Sequence, residues 1–257
     1  NNIASLQGFG AKSQEKYLEG IELLHRYQGR SRMDIGLAYG HSLENKISKI
    51  PNVLKAQLAG SARRMRETIG DLDIVLSAEI EHQEKIINQI MNFSGIADVK
   101  GQGTSKISLI LESEMLAEPI IKKELDFGLS ENISERSLNS TIDAQIRIVS
   151  PEAFPFTLAY FTGSKEHNIR MRQRAIDKGL RLNEFGLFSE KEAGDKIGME
   201  AAKNTLICNT ELDIYKNLDM DWVAPELRED MGEIEASLQG LLPNLIKIDD
   251  IKGAFHN

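Results

Sequence analysis

The chain has 257 residues, 41% hydrophobic and 27% charged, with a formal net charge of −8, enough for one large or two small domains of ordinary globular character. No apolar run approaches the ~20 residues of a membrane-spanning helix, and a lone cysteine, Cys208, excludes an intrachain disulfide. A cytoplasmic protein is expected, and the acidic total argues against a nucleic-acid partner unless basic residues gather on one face.

In chain order, residues 1–27 read as a tight turn followed by an amphipathic helix. Gly8 and Gly10 serve the turn, and Tyr17, Leu18, Ile21 and Leu24 recur at helical spacing. A short linker at 29–31 precedes a helix over 33–48 and a strand over 53–59. The run Leu72, Ile74, Val75, Leu76 predicts a buried strand over 71–77. A helix over 80–93 carries Ile80, Ile86, Ile87, Ile90 and Met91 along one side, and strands follow near 96–100 and 104–112. The polar, acidic segment 113–139 exceeds an ordinary connection and reads as an insertion or a mobile loop. A strand over 141–149 comes next. Beyond it the pattern turns helical, near 151–161, 165–178, 210–218 and 230–239, with a small two- or three-stranded element within 180–208. Between Lys165 and Arg181 lie six Lys or Arg against only Glu166 and Asp177, so a basic face on an acidic body is compatible with DNA.

The chemistry concentrates in Gly60-Ser61-Ala62-Arg63-Arg64-Met65-Arg66-Glu67-Thr68-Ile69-Gly70-Asp71-Leu72-Asp73. On a strand, Asp71 and Asp73 point to the same face, roughly 7 Å apart. Two carboxylates there repel unless a hard divalent cation neutralises them. The Gly-Ser turn and the arginines upstream offer free backbone N–H groups and forked donors, which suit phosphate. Together these describe a nucleotidyl-transfer site.

This stretch resembles the nucleotidyltransferase superfamily, and its wording resembles family X DNA polymerases. A second block, Tyr160-Phe161-Thr162-Gly163-Ser164-Lys165-Glu166-His167-Asn168 through Arg172 and then Leu182-Asn183-Glu184-Phe185-Gly186-Leu187-Phe188, is similar to the nucleotide-binding region of polymerase beta and its relatives. A third, Ala224-Pro225-Glu226-Leu227-Arg228-Glu229-Asp230 with Gly232-Glu233-Ile234-Glu235, is similar to bacterial and archaeal family X enzymes. The resemblance runs over nearly the whole chain.

The resemblance implies an α+β fold: a nucleotidyltransferase palm over 30–150, with a mixed sheet and flanking helices, and a mostly helical nucleotide-binding subdomain over 151–243. It turns residues 1–29 from an ordinary helix start into a helix-hairpin-helix remnant, with Gly8 and Gly10 against a DNA phosphate. Residues 244–257 become a linker toward a metal-dependent phosphoesterase (PHP) domain, since Gly253-Ala254-Phe255-His256-Asn257 looks like that domain's opening. It further implies DNA-directed polymerisation into short gaps during repair, with Mg²⁺ or Mn²⁺, deoxynucleoside triphosphates and gapped or primer-template DNA. The protein would act as a monomer, without a membrane.

Residue by residue, the resemblance makes Asp71 and Asp73 ligands of two metal ions. The third carboxylate of the family falls on Gln145, whose amide carries no charge and cannot act as a base. Asp143 lies two residues earlier on the same strand face and serves as third ligand only after a displacement of about 7 Å or a local bulge. Gly60, Ser61, Arg64 and Gly70 match phosphate contacts. Arg32 matches a triphosphate arginine, or is a solvated linker residue. Tyr160, Phe161, Gly163 and Asn168 match the sugar and base pocket, although Tyr160 and Phe161 alone read as core. Arg172 matches a template contact, flanked by Arg170 and Arg174. Arg63 and Arg66 read as structural or DNA-facing. His25, His41, His82 and His167 lack metal-ligand spacing, and Trp222 and Cys208 read as core.

Two other functions stay open. A DNA-binding module that has lost efficient catalysis and positions a PHP nuclease is suggested by Gln145. A terminal transferase of the RNA-modifying or antibiotic-modifying kind shares the Gly-Ser and Asp-x-Asp pattern but leaves the blocks at 160–188 and 224–235 unexplained.

Overall fold

The computed structural model describes residues 10, 12–18, 29–116, 141–194, 196 and 198–253. Most of segment 113–139, hairpin residue Gly8 and the terminal histidine lie outside them. Residues 12–18 are helical and Gly10 is exposed.

The centre is a five-stranded mixed sheet of order β2-β4-β7-β6-β5. Its strands are β2 (Lys55–Leu58), β4 (Asp71–Ser77), β5 (Ile96–Gln102), β6 (Lys106–Leu111) and β7 (Ile142–Val149). A two-residue pair, β1 (Ser31–Arg32) with β3 (Thr68–Ile69), flanks it. β4 and β7 run parallel, and every other pairing in the main sheet is antiparallel. The mixture arises because β4 and β7 are far apart in sequence, joined through a helix and the β5–β6 hairpin, whereas neighbours in sequence fold back directly.

Helix α1 (Met33–Ser48) buries Ile35, Tyr39, Leu43 and Ile47 at four-residue spacing against one sheet face. Gly36 and Gly40 let it approach closely: a Cβ at Gly36 would stand 2.6 Å from Ile69 Cδ1. α3 (Gln83–Met91) contributes Ile86, Ile87 and Ile90 to the same core. Ile80, expected on that stripe, belongs to a preceding 3₁₀ turn and is 82% exposed. β7 alternates cleanly, with Ile142, Ala144, Ile146 and Ile148 facing this core.

Among the described residues, the opposite sheet face is only half covered. Val75 of β4 packs under α4 (Phe154–Thr162) with Ala59, Phe154 and Leu158. Two and four residues earlier, Asp73 and Asp71 stand on this same face, where α4 no longer reaches. A helix cap therefore gives way to a cleft along one strand.

The remaining elements pack around a second core of Phe156, Met171, Ala175, Ile214, Tyr215 and Leu218, with Phe188 and Ala201 in a separate small cluster beside it. They are α5 (Lys165–Asp177), hairpin β8–β9 (Leu180–Asn183, Gly186–Ser189), short helices α6 (Glu190–Ala193) and α7 (Gly198–Ala201), then α8 (Glu211–Asn217) and α9 (Glu233–Gln239). Ser164 caps α5 by accepting from the His167 backbone N–H. Trp222, expected in this core, is 38% exposed and lies over Arg228 instead. Among the described residues no helix is long and apolar enough to cross a membrane.

Candidate active site

Gly60 fixes one wall of the cleft. It opens the four-residue helix α2 (Gly60–Arg63) with φ +61, a backbone region that disfavours side chains. A Cβ there would fall 2.5 Å from Asp73 Oδ2. Only glycine lets this turn lie against the carboxylate. The first N–H groups of α2 have no partner within the helix, and the Ala59 N–H donates to Asp73 O at 2.7 Å, tying the turn to β4.

The parallel register places Asp143 beside Asp71 and Gln145 beside Asp73. Neighbouring strands lie about 4.8 Å apart, so the four residues form a two-by-two grid on the open face. Asp143 therefore needs neither the displacement nor the bulge expected of it. It is, however, already engaged: Lys100 Nζ donates to Oδ1 at 2.8 Å and to Oδ2 at 2.7 Å.

Burial and the neighbouring Asp71 charge push the Asp73 carboxyl up to about 7, although Arg147, Arg64 and Lys106 pull it down. This is an under-compensated carboxylate pair. Its hard oxygen donors fit one ion of the Mg²⁺ or Mn²⁺ type. A second ion fits poorly, because the next position is a neutral amide and the next carboxylate carries its own ammonium. Among the described residues no group of three or more His, Cys, Asp or Glu is arranged to hold a metal.

The arginines divide differently from expectation. Arg32 is bound to Asp34, with Nη2 at 2.7 Å from Oδ2. Arg30, not singled out in the sequence, donates to Thr68 O and Oγ1, and its Nη1 lies 2.9 Å from where a Cβ on Gly70 would sit. Arg64, matched to phosphate, donates instead to Thr162 O at 2.6 Å and to Glu229 at 2.8 Å. Arg63 donates to Thr162 Oγ1 at 2.6 Å and pairs with Glu211 through both terminal nitrogens. Glu211 also accepts from Arg228 at 2.7 Å. Burial pushes the Glu211 carboxyl up, but Arg228 and Arg63 together hold it below its ordinary value. These contacts clasp α2 to the C-terminal elements.

Phe161 and Gly163 reach the cleft from α4. The Arg147 guanidinium lies 4.7 Å from the Phe161 ring centre, and a Cβ on Gly163 would stand 3.1 Å from Arg64 Nη1. Arg147 follows Gln145 at two-residue spacing on β7, the one signal that could have marked it as a cleft residue. Tyr160 meets Phe161 edge to face. Asn168 donates to Tyr160 O at 2.7 Å, and Arg172 Nε donates to Asn168 O. Tyr160, Asn168, Arg172, Tyr215 and Arg228 line a cavity of ≈ 20 Å³, room for about one water and not for a base. On α5, Arg170 is bound to Glu235 and Asp230, and Arg174 lies near Asp219.

His167 is no ligand candidate: it is buried between Glu233 and the Tyr215 hydroxyl. Burial, which outweighs the pull of Glu233, keeps it below its ordinary pKa. Burial pushes the Cys208 thiol up to about 11, which leaves it inert as a nucleophile.

Residues 157–229 match the family model described as DNA polymerase beta thumb. Over 254 residues, 99% of this chain, the sequence is 30% identical to the DNA polymerase/3'-5' exonuclease PolX of Bacillus subtilis (strain 168). The chain is thus similar over nearly its whole length to the polymerase beta-like family X of DNA polymerases. DNA polymerase lambda of Arabidopsis thaliana is 27% identical over 171 residues, 66% of this chain. The chain spans 38% of the length of the first relative and 31% of the second. Its fold is that of the Leishmania infantum polymerase beta crystal structures. The ternary P/T complex matches with a TM-score of 0.62 at 20% identity, covering 88% of this chain and 96% of that one. The ternary gap complex matches with a TM-score of 0.62 at 21% identity, covering 89% and 78%.

Proposed function

We propose that this chain is the polymerising core of a family X enzyme that adds deoxynucleotides to primer 3′ ends in short DNA gaps. The observation that carries the proposal is the glycine turn at Gly60–Ser61 pressed against Asp73, with Asp71 beside it on the open face. A phosphate-binding turn and a carboxylate pair meet there without an intervening side chain. Asp71 and Asp73 would hold Mg²⁺ or Mn²⁺, which supplies positive charge to the triphosphate and the departing pyrophosphate. The residues do the rest. Ser61 and the backbone of Gly60 and Gly70 hold phosphate oxygens, and Arg30 takes the triphosphate role first matched to Arg32. Phe161 and Tyr160 bound the sugar, Gly163 admits it, and Asn168 with Arg172 faces the base pair once the cavity beneath them opens. Gly8 and Gly10 would hold a DNA phosphate.

A second reading has its own support. Gln145 beside Asp73, and Asp143 taken by Lys100, leave the primer side short of negative charge. On that reading the core binds DNA, polymerises poorly and positions a PHP nuclease domain. Primer extension on gapped DNA with Mg²⁺ or Mn²⁺ decides between them. Extension that disappears in Asp71→Asn supports the polymerase; DNA binding with no extension under either metal supports the second reading.

A further inference from the structure

Strand β5 is irregular where it matters. Its pairing with β6 shifts register between Val99 and Gly101, so Lys100 is the extra residue of a bulge. Bulges re-aim side chains and are concentrated next to active sites. Val99 opposes Leu109 and Gly101 opposes Ser108, while Ile110 and Ser108 of β6 in turn oppose Asp143 and Gln145. Lys100 thus reaches across β6 onto the cleft face and meets Asp143 with both carboxylate oxygens. The pair is half exposed, with side chains 46% and 52% accessible, and such pairs add little to stability. Its consequence is local charge: the carboxylate next to Asp71 is neutralised by an ammonium on the same chain.

We infer that Lys100 is a positioning residue that withdraws Asp143 from the donor set, so that the cleft holds one divalent ion, between Asp71 and Asp73. The inference rests on the nucleotidyl-transfer reading above. Gln145 contributes only a dipole, and the ammonium of Lys100 occupies the charge balance that a second ion would need. The prediction concerns metal stoichiometry and can be read without catalysis.

The test counts bound Mn²⁺ by electron paramagnetic resonance on the whole chain, with Mn²⁺ as the only added ligand. Wild type should bind one ion. Lys100→Met should expose a second site, at least about tenfold tighter than any second binding in wild type, as loss of a nearby like charge predicts. Adding Asp143→Asn to Lys100→Met should return the count to one. Lys100 sits on an edge strand and is half exposed, so the variant should keep its circular-dichroism spectrum. Two ions in wild type, or a single ion in Lys100→Met, overturns the inference. Asp71→Asn separates the two levels. If it removes the tight ion while Lys100→Met still binds one, only the role of Lys100 fails. If wild type binds no Mn²⁺, or Asp71→Asn leaves it unaffected, the nucleotidyl-transfer reading fails with it.

Discussion

Glu211→Gln should be among the most damaging isosteric changes in this protein. Glu211 is 7% exposed and Arg228 1% exposed, so neither charge has water to fall back on. The carboxylate accepts from Arg63 at 3.0 and 2.5 Å and from Arg228 at 2.7 Å. An amide keeps one acceptor and turns an N–H₂ toward a guanidinium. Breaking one partner of a buried ion pair costs about 3–5 kcal/mol, a large part of the ~5–15 kcal/mol that holds a domain folded. In a chain of this size that lowers the melting temperature by roughly 6–20 °C. Urea denaturation and calorimetry at pH 7 measure it. The sign with pH follows from the lowered carboxyl: the stabilisation is complete above the ordinary value of 4.5, and is lost as pH falls through the lower folded value. The gap between wild type and variant should therefore close in acid. A loss under about 1 kcal/mol at pH 7, or a gap that widens in acid, would refute the argument that this network is a buried and charge-matched clasp.

Other consequences are as direct. With metal chelated, the raised Asp73 carboxyl means the folded state holds a proton between about 4 and 7, so stability should fall as pH rises through that window; Asp73→Asn should flatten the profile in denaturation with EDTA. Gly60→Ala places a methyl 2.5 Å from the Asp73 carboxylate at φ +61 and should cost about 1–3 kcal/mol with loss of primer extension, both measurable on one preparation. Gln145→Asp restores a third carboxylate next to Asp73 and should raise extension by at least about tenfold, or about 1.4 kcal/mol in barrier; an unchanged rate in single-turnover assays would show that the amide is not limiting.

The elements were legible wherever the signal was local. Leu72 to Leu76 predicted β4, and the stripe of Ile86, Ile87 and Ile90 predicted α3. What escaped was non-local. No sequence pattern states that β7 lies parallel to β4 in the register that sets Asp143 beside Asp71, because the pairing is decided by packing of residues about seventy positions apart. The reach of Lys100 depends on a bulge, which shifts every later side chain to the other face. Arg30 and Arg32 are both chemically able to hold phosphate; Arg32 is paired with the Asp34 carboxylate, whereas Arg30 donates to the neutral oxygens of Thr68. The partners of Arg64, matched by resemblance to phosphate, are a carbonyl and a carboxylate about a hundred residues or more downstream.

The same irregular strand has a consequence for solution behaviour. β5 forms an outer edge of the main sheet, and an outer edge is a template on which another molecule can add a strand. Its pairs with β6 come in runs of only two, Asp98–Val99 and Gly101–Gln102, separated by register shifts. An incoming flat strand would meet a twisted row, charged at Asp98 and Lys100 and interrupted by Gly101. Straightening it, by deleting Lys100 to restore continuous pairing from Asp98 to Gln102, should leave the sheet intact and make the purified protein prone to aggregate.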